Sequence, residues 1–100
     1  MYLSSKAITK MSERYSYNCN LDVLLPGNVP EEQFWLLIDI SPIHSEKVII
    51  ALLDYFVRGK SRKDICELHH INNGYLSTSI ARLNQINYIA KQLASYYSNR

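Results

Sequence analysis

Along this 100-residue chain, apolar residues recur at helical spacing in four stretches, each preceded by a residue suited to start a helix. The first stretch follows Pro26-Gly27-Asn28, a strong turn signal. Pro30 suits a first helical turn, Glu31 and Glu32 complement the helix dipole, and residues 33–40 continue as helix. Here Phe34, Trp35, Leu36, Leu37 and Ile38 form an unbroken apolar run, which predicts burial of more than one face. Two uses of that run stand side by side: a helix clamped in the core, or a face bearing Phe34 and Trp35 that seals a subunit interface. Ser41-Pro42 stops the helix. Ser45 then caps a second one, whose stripe runs through Val48, Ile49, Leu52, Leu53, Phe56 and Val57 to an end near Gly59.

Residues 61–83, SRKDICELHHINNGYLSTSIARL, carry the third stretch and the start of the fourth. Ser61 and Asp64 have the spacing of a capping box, with Asp in place of Glu, so a helix is predicted from Arg62 with an apolar stripe through Ile65 and Leu68. His69-His70-Ile71-Asn72 breaks that stripe. Asn72 or Asn73 offers a fresh N-cap, after which Leu76, Ile80 and Leu83 resume the helical period. The pattern continues through Ile86, Ile89, Ala90 and Leu93 to Tyr96 or Tyr97. Two helices joined by a few residues are the helix-turn-helix outline. The expected fold is therefore all-α, a small domain of four main helices over residues 21–100 that contains a helix-turn-helix. Residues 1–20 show neither helical nor strand period and read as a flexible N-terminal arm, or as one that orders on a partner through Lys6, Lys10, Arg14, Tyr15 and Tyr17. Residues 19–24 are the only candidate strand.

A hydrophobic content of 47% in a chain of this length supports one modest core. The net charge of +2 would not by itself suggest a nucleic-acid partner. Its distribution does. Residues 1–40 hold three cations against five anions, whereas residues 60–100 hold Lys60, Arg62, Lys63, Arg82, Lys91 and Arg100 against Asp64 and Glu67, a net of +4. No apolar segment has signal-peptide or membrane-spanning length, so a cytoplasmic protein without membrane contact is expected, with Cys19 and Cys66 as free thiols.

In a helix-turn-helix the second helix presents its N-terminal residues to base edges. The candidates at that end are Asn72, Asn73, Tyr75, Ser77, Thr78 and Ser79, with Arg82 further along. None of the leading residues is Arg or Lys, the usual partners of guanine, whereas Asn suits adenine and the Thr methyl suits thymine. This predicts a bias toward A·T pairs. Lys60, Arg62 and Lys63 sit where cations oppose the helix dipole; phosphate contact is one explanation, local pairing with Asp64 or Glu67 the other. Gly74 lowers helix propensity and is explained either by close approach to phosphate or by packing. Cys66, His69 and His70 have helical spacing but lack a fourth metal ligand in register, and no nucleophile, base and oxyanion donor are arranged together. Neither an enzyme, a cofactor nor a small-molecule effector is expected.

Three blocks carry a further likeness: LLPG at 24–27, FWLLIDISPIHSEKVIIAL from Phe34, and GKSRKDICELHHINNGYLSTSIARL from Gly59, with YY at 96–97. Over about residues 21–97 the chain resembles the PapB family of adhesin-biosynthesis transcription regulators, and the likeness runs through connecting segments as well as apolar stripes. It implies an all-helical protein that binds double-stranded DNA, oligomerises on it, and controls phase-variable expression of fimbrial or afimbrial adhesins. It further implies AT-rich sites with repeated thymine tracts, contact with the minor groove, and roles for Arg62 in DNA binding and Cys66 in function. Narrow A-tract minor grooves concentrate negative potential and attract Arg, so Arg62 would read groove shape, with Cys66 and Gly74 supporting the motif. The competing expectation is a protein-interaction module that keeps the helical scaffold without touching DNA.

Overall fold

The computed structural model describes residues 23–98 and contains four helices: α1 (Glu31–Ile40), α2 (Glu46–Phe56), α3 (Arg62–His69) and α4 (Asn73–Ala94). The arm expected over residues 1–20 and Cys19 lie outside the described residues, and Val23 and Leu24, the end of the candidate strand, are not in a strand.

The helices start where short polar side chains can take up orphan backbone donors. Ser45 Oγ accepts from Val48 N at 3.4 Å, Ser61 Oγ from Asp64 N at 3.1 Å, and Asn72 Oδ1 from Tyr75 N at 2.7 Å. Pro30 stands just before α1 as its N-cap, without a side-chain bond, and its carbonyl accepts from Phe34 N. α4 stops at Ala94, short of Tyr96 and Tyr97. Their N–H groups reach back three residues to Leu93 and Ala94, and among the described residues their rings meet no surface that would reward further helix.

α1 packs on α2 and α4, α2 on α3 and α4, and α3 on α4. The core between them holds Phe34, Leu37 and Ile38 from α1, Leu52, Leu53 and Phe56 from α2, Ile65 from α3, and Leu76, Ile80 and Leu83 from α4. Two expectations are corrected. Phe34 is wholly enclosed, so it is core and not part of an exposed subunit face. α1 buries one face only: Leu36 and Ile40 are 63% and 61% exposed, because its two neighbours, α2 and α4, cover just the Phe34 side. Leu68 is 58% exposed, which leaves Ile65 as the single fully buried anchor of α3, with Cys66 half-buried beside it.

A strap formed by residues 24–29 crosses the helices before α1. Leu24 N donates to Asn84 Oδ1 at 2.8 Å, Gly27 N to Tyr55 O at 3.2 Å and Val29 N to Phe56 O at 3.1 Å. At its middle Gly27 meets Gly59, just beyond the end of α2. Both have left-handed φ (+77° and +73°), and a Cβ on Gly27 would fall 3.1 Å from the Gly59 Cα. The obstacle is backbone, which cannot rotate away as a side chain would. Gly27→Ala is therefore expected to cost about 2 kcal/mol or more from steric and φ strain together. Thermal melts followed by circular dichroism should show a loss of roughly 4–8 °C for each kcal/mol, and an unchanged melting temperature would contradict the contact.

Candidate nucleic-acid interface

Asp54 lies on the inner side of the last turn of α2 and is 1% exposed. An ionised carboxylate there needs partners to replace water. Three side chains supply them: Arg58 Nη1 donates to Oδ1 at 2.9 Å, His69 Nε2 donates to Oδ2 at 2.8 Å, and Lys60 Nζ stands 3.7 Å from Oδ2. Lys60 N also donates to Asp54 O at 2.9 Å, closing the turn around Gly59. The network fastens the end of α2, the connecting turn and the end of α3 to one buried point. Burial pushes the Asp54 carboxyl up, but the hydrogen bonds from His69 and Arg58, with the charges of Lys60 and Arg58, outweigh it and hold the carboxyl below its ordinary 3.8.

α3 ends at His70, which takes a left-handed conformation (φ 56°); His70 N and Ile71 N both reach Cys66 O. This sharp reversal, followed by the Asn72 cap, sets α4 against α3. At the opposite end of α3, Arg62 reaches both neighbouring helices. Its Nη1 donates to Ser77 Oγ of α4, and its guanidinium lies 5.7 Å from the centroid of the Tyr55 ring of α2. Neither Arg62 nor Lys63 pairs with Asp64 or Glu67, so the local-pairing explanation of that charge run does not hold among the described residues. Lys60 differs from its two neighbours, since its ammonium faces Asp54.

On α4 the predicted front divides. Asn73, Tyr75, Thr78 and Arg82 are exposed, and Tyr75, Thr78 and Arg82 share a cleft of about 190 Å3 with His44 and Ser45. Asn72 spends its Oδ1 on the cap, Ser77 accepts from Arg62, and Ser79 is buried with its hydroxyl returned to Tyr75 O. Thr78 Oγ1 likewise donates to Gly74 O. A Cβ on Gly74 would meet only Asn72 Oδ1, at 3.4 Å, which is ordinary contact, so internal packing does not require glycine there. Among the described residues no group of three His, Cys, Asp or Glu side chains is placed to hold a metal ion, and no helix is long and apolar enough to cross a membrane. Cys66 packs against the core, and His69 is turned to Asp54 instead.

Residues 5–97 match the family described as adhesin biosynthesis transcription regulatory protein, PapB. This chain belongs to the PapB family. It is 46% identical over 94 residues to PapB of Escherichia coli, the regulatory protein of a major pilus subunit operon, a match spanning 94% of this chain and 90% of the relative. It is 44% identical over 89 residues to the AFA-III adhesin operon regulatory protein of the same organism, spanning 87% and 88%. The crystal structure of E. coli FocB is similar with a TM-score of 0.77 at 46% identity, covering 87% of this chain and 99% of that one. The PapB family is one of transcription regulators, and the four-helix fold is shared with a close relative.

Within this PapB-family chain, sequence reasoning had passed over Asp54 and Tyr55. Asp54 had one local signal, the Arg58 four residues on; its longer partner His69, fifteen residues away, had none. The network has a consequence in acid. A carboxyl held below its ordinary value contributes stability that is present above that value and lost as pH falls through the folded-state value. Urea midpoints should therefore fall as pH drops below about 3.8, more steeply in the wild type than in Asp54→Asn. Parallel curves for the two proteins would refute the assignment.

Proposed function

We propose that this transcription regulator is cytoplasmic, controls an adhesin operon in a phase-variable manner, and binds AT-rich promoter DNA through α3, its turn and the front of α4 as a helix-turn-helix. The observation that carries the reading is Arg62: an exposed guanidinium held at the junction of α3 and α4, beside a reading face that lacks Arg and Lys until Arg82. Such a face has no bidentate partner for guanine, while an isolated, positioned Arg suits the narrow minor groove of A-tracts. Lys63 and Arg82, which make no ion pair among the described residues, flank it as phosphate contacts, and the open surface at Gly74 allows the α4 backbone to approach a phosphate. Asn73, Tyr75 and Thr78 supply the remaining contacts. Lys60 contributes less than its position suggests, being shared with Asp54.

Fluorescence anisotropy against an AT-tract duplex and a GC duplex of equal length tests this. The AT-tract should bind more tightly, and Arg62→Ala should weaken binding at least tenfold, a change of ~1.4 kcal/mol. The variant loses one hydrogen bond and one exposed cation–π contact, so its melting temperature should fall by only a few degrees, about 1 kcal/mol. If neither duplex binds above background, the protein-interaction module becomes the better reading.

Self-association belongs to the same proposal. Exposed Leu36 and Ile40, one turn apart on the outer side of α1, with half-covered Trp35 alongside, form the face offered to a second copy. Trp35 Nε1 donates to Glu31 Oε2 at 3.1 Å, which settles the indole's polar end and leaves its ring for contact. Sedimentation of Leu36→Asp should yield a smaller species than the wild type at equal concentration with an unchanged circular dichroism spectrum. An unaltered sedimentation coefficient would place the interface elsewhere.

A further inference from the structure

We infer that Tyr55 and Ser77 are positioning residues that set the posture of Arg62 before DNA arrives; the inference rests on the proposed DNA-binding role of Arg62. A free arginine on a helix surface samples many rotamers, and fixing it on a ligand costs that freedom at the moment of binding. Here the side chain is held at two points from two different helices. The Tyr55 ring is a half-buried platform, steadied by an edge contact with wholly enclosed Phe56 (4.9 Å between centroids, 84° between planes). The Tyr55 carbonyl is itself tied down by Gly27 N. Above this platform lies the guanidinium, and the Ser77 hydroxyl takes one of its donors. Of the five N–H donors of a guanidinium, four stay available to acceptors on DNA.

The arrangement is not needed to join the helices. α2 and α3 are already fastened by the Asp54 network, and α3 and α4 by the packing around Ile65 and Leu76. What Tyr55 and Ser77 add is the direction of one exposed cation. Ser77, expected from the sequence to meet bases directly, acts here through Arg62.

A double-mutant cycle on the full chain, read by anisotropy with the AT-tract duplex at fixed salt, tests the inference. Tyr55→Leu should weaken binding roughly threefold to tenfold in the wild-type background and less than twofold in the Arg62→Ala background, while Tyr55→Phe, which keeps the ring, should stay near wild type. Ser77→Ala should show the same dependence on Arg62, and it covers the case in which Tyr55→Leu fails to fold. Equal losses in both backgrounds, or no loss in either, would overturn the inference while leaving the DNA-binding reading intact. A wild-type protein that binds no duplex would overturn both. As a readout independent of DNA, the Arg62 side-chain Nε–Hε resonance should be shifted by the Tyr55 ring current and move toward the random-coil position in Tyr55→Leu.

Discussion

The buried carboxylate of Asp54 is the interaction on which the arrangement of this molecule depends. α3 is eight residues long and has one fully enclosed side chain, Ile65, so hydrophobic burial alone gives it a pivot and not an orientation. The bond from His69 to Asp54 supplies the second point, at the far end of the helix from Arg62. A charge taken out of water tolerates few alternatives, because any tilt of α3 that breaks this bond leaves the carboxylate short of a donor. The preceding connection is held to the same residue by Lys60, whose ammonium faces the carboxylate and whose backbone N–H donates to the Asp54 carbonyl. Asp54 and Tyr55 are consecutive, so one turn of α2 directs a carboxylate inward to fix α3 and an aromatic face outward to meet Arg62.

This use of charge alters what the positive balance of the C-terminal part means. Lys60 and Arg58 are part of the internal compensation of Asp54, and Arg62, Lys63 and Arg82 remain as the cations presented by α3 and the front of α4. The exposed cations there are thus sparse and patterned, with a neutral α4 front between them. Under the proposed DNA-binding reading, such a surface would derive less affinity from bulk counterion release and more from the placement of individual groups.

The starts of α2, α3 and α4 were legible because each depends on a capping side chain and the N–H three residues on: Ser45 with Val48, Ser61 with Asp64, Asn72 with Tyr75. Core positions at helical spacing in α2 and in the first half of α4 were legible for the same reason, whereas further along α4 Leu93 of the same stripe is 52% exposed and Asn87 and Tyr88 are buried instead. What escaped depends on how the helices meet. Nothing in the apolar run of α1 told which of Phe34, Leu36 and Leu37 would face inward, since all three are hydrophobic and only packing against α2 and α4 chooses among them. Leu68 was misread because a short helix with one neighbour on each side buries a narrower stripe than its sequence offers. At the candidate site, Arg62 and the exposed residues of α4 were identifiable by type, but the hydroxyl of Ser77 and the ring of Tyr55 were committed to Arg62 by contacts that no local pattern encodes.

The strap ahead of α1 places a condition on the order in which the fold can be completed. Its anchor, Leu24 to Asn84, spans 60 positions, whereas the Asp54–His69 and Arg62–Ser77 bonds each span 15. Short loops close first because their ends meet at lower entropic cost. On a ribosome, Leu24 emerges long before the residue that will hold it, Asn84 in the middle of α4. The helices of the candidate interface are thus able to assemble before the strap locks across them, and a nascent chain halted short of Asn84 would carry an open seam along its core.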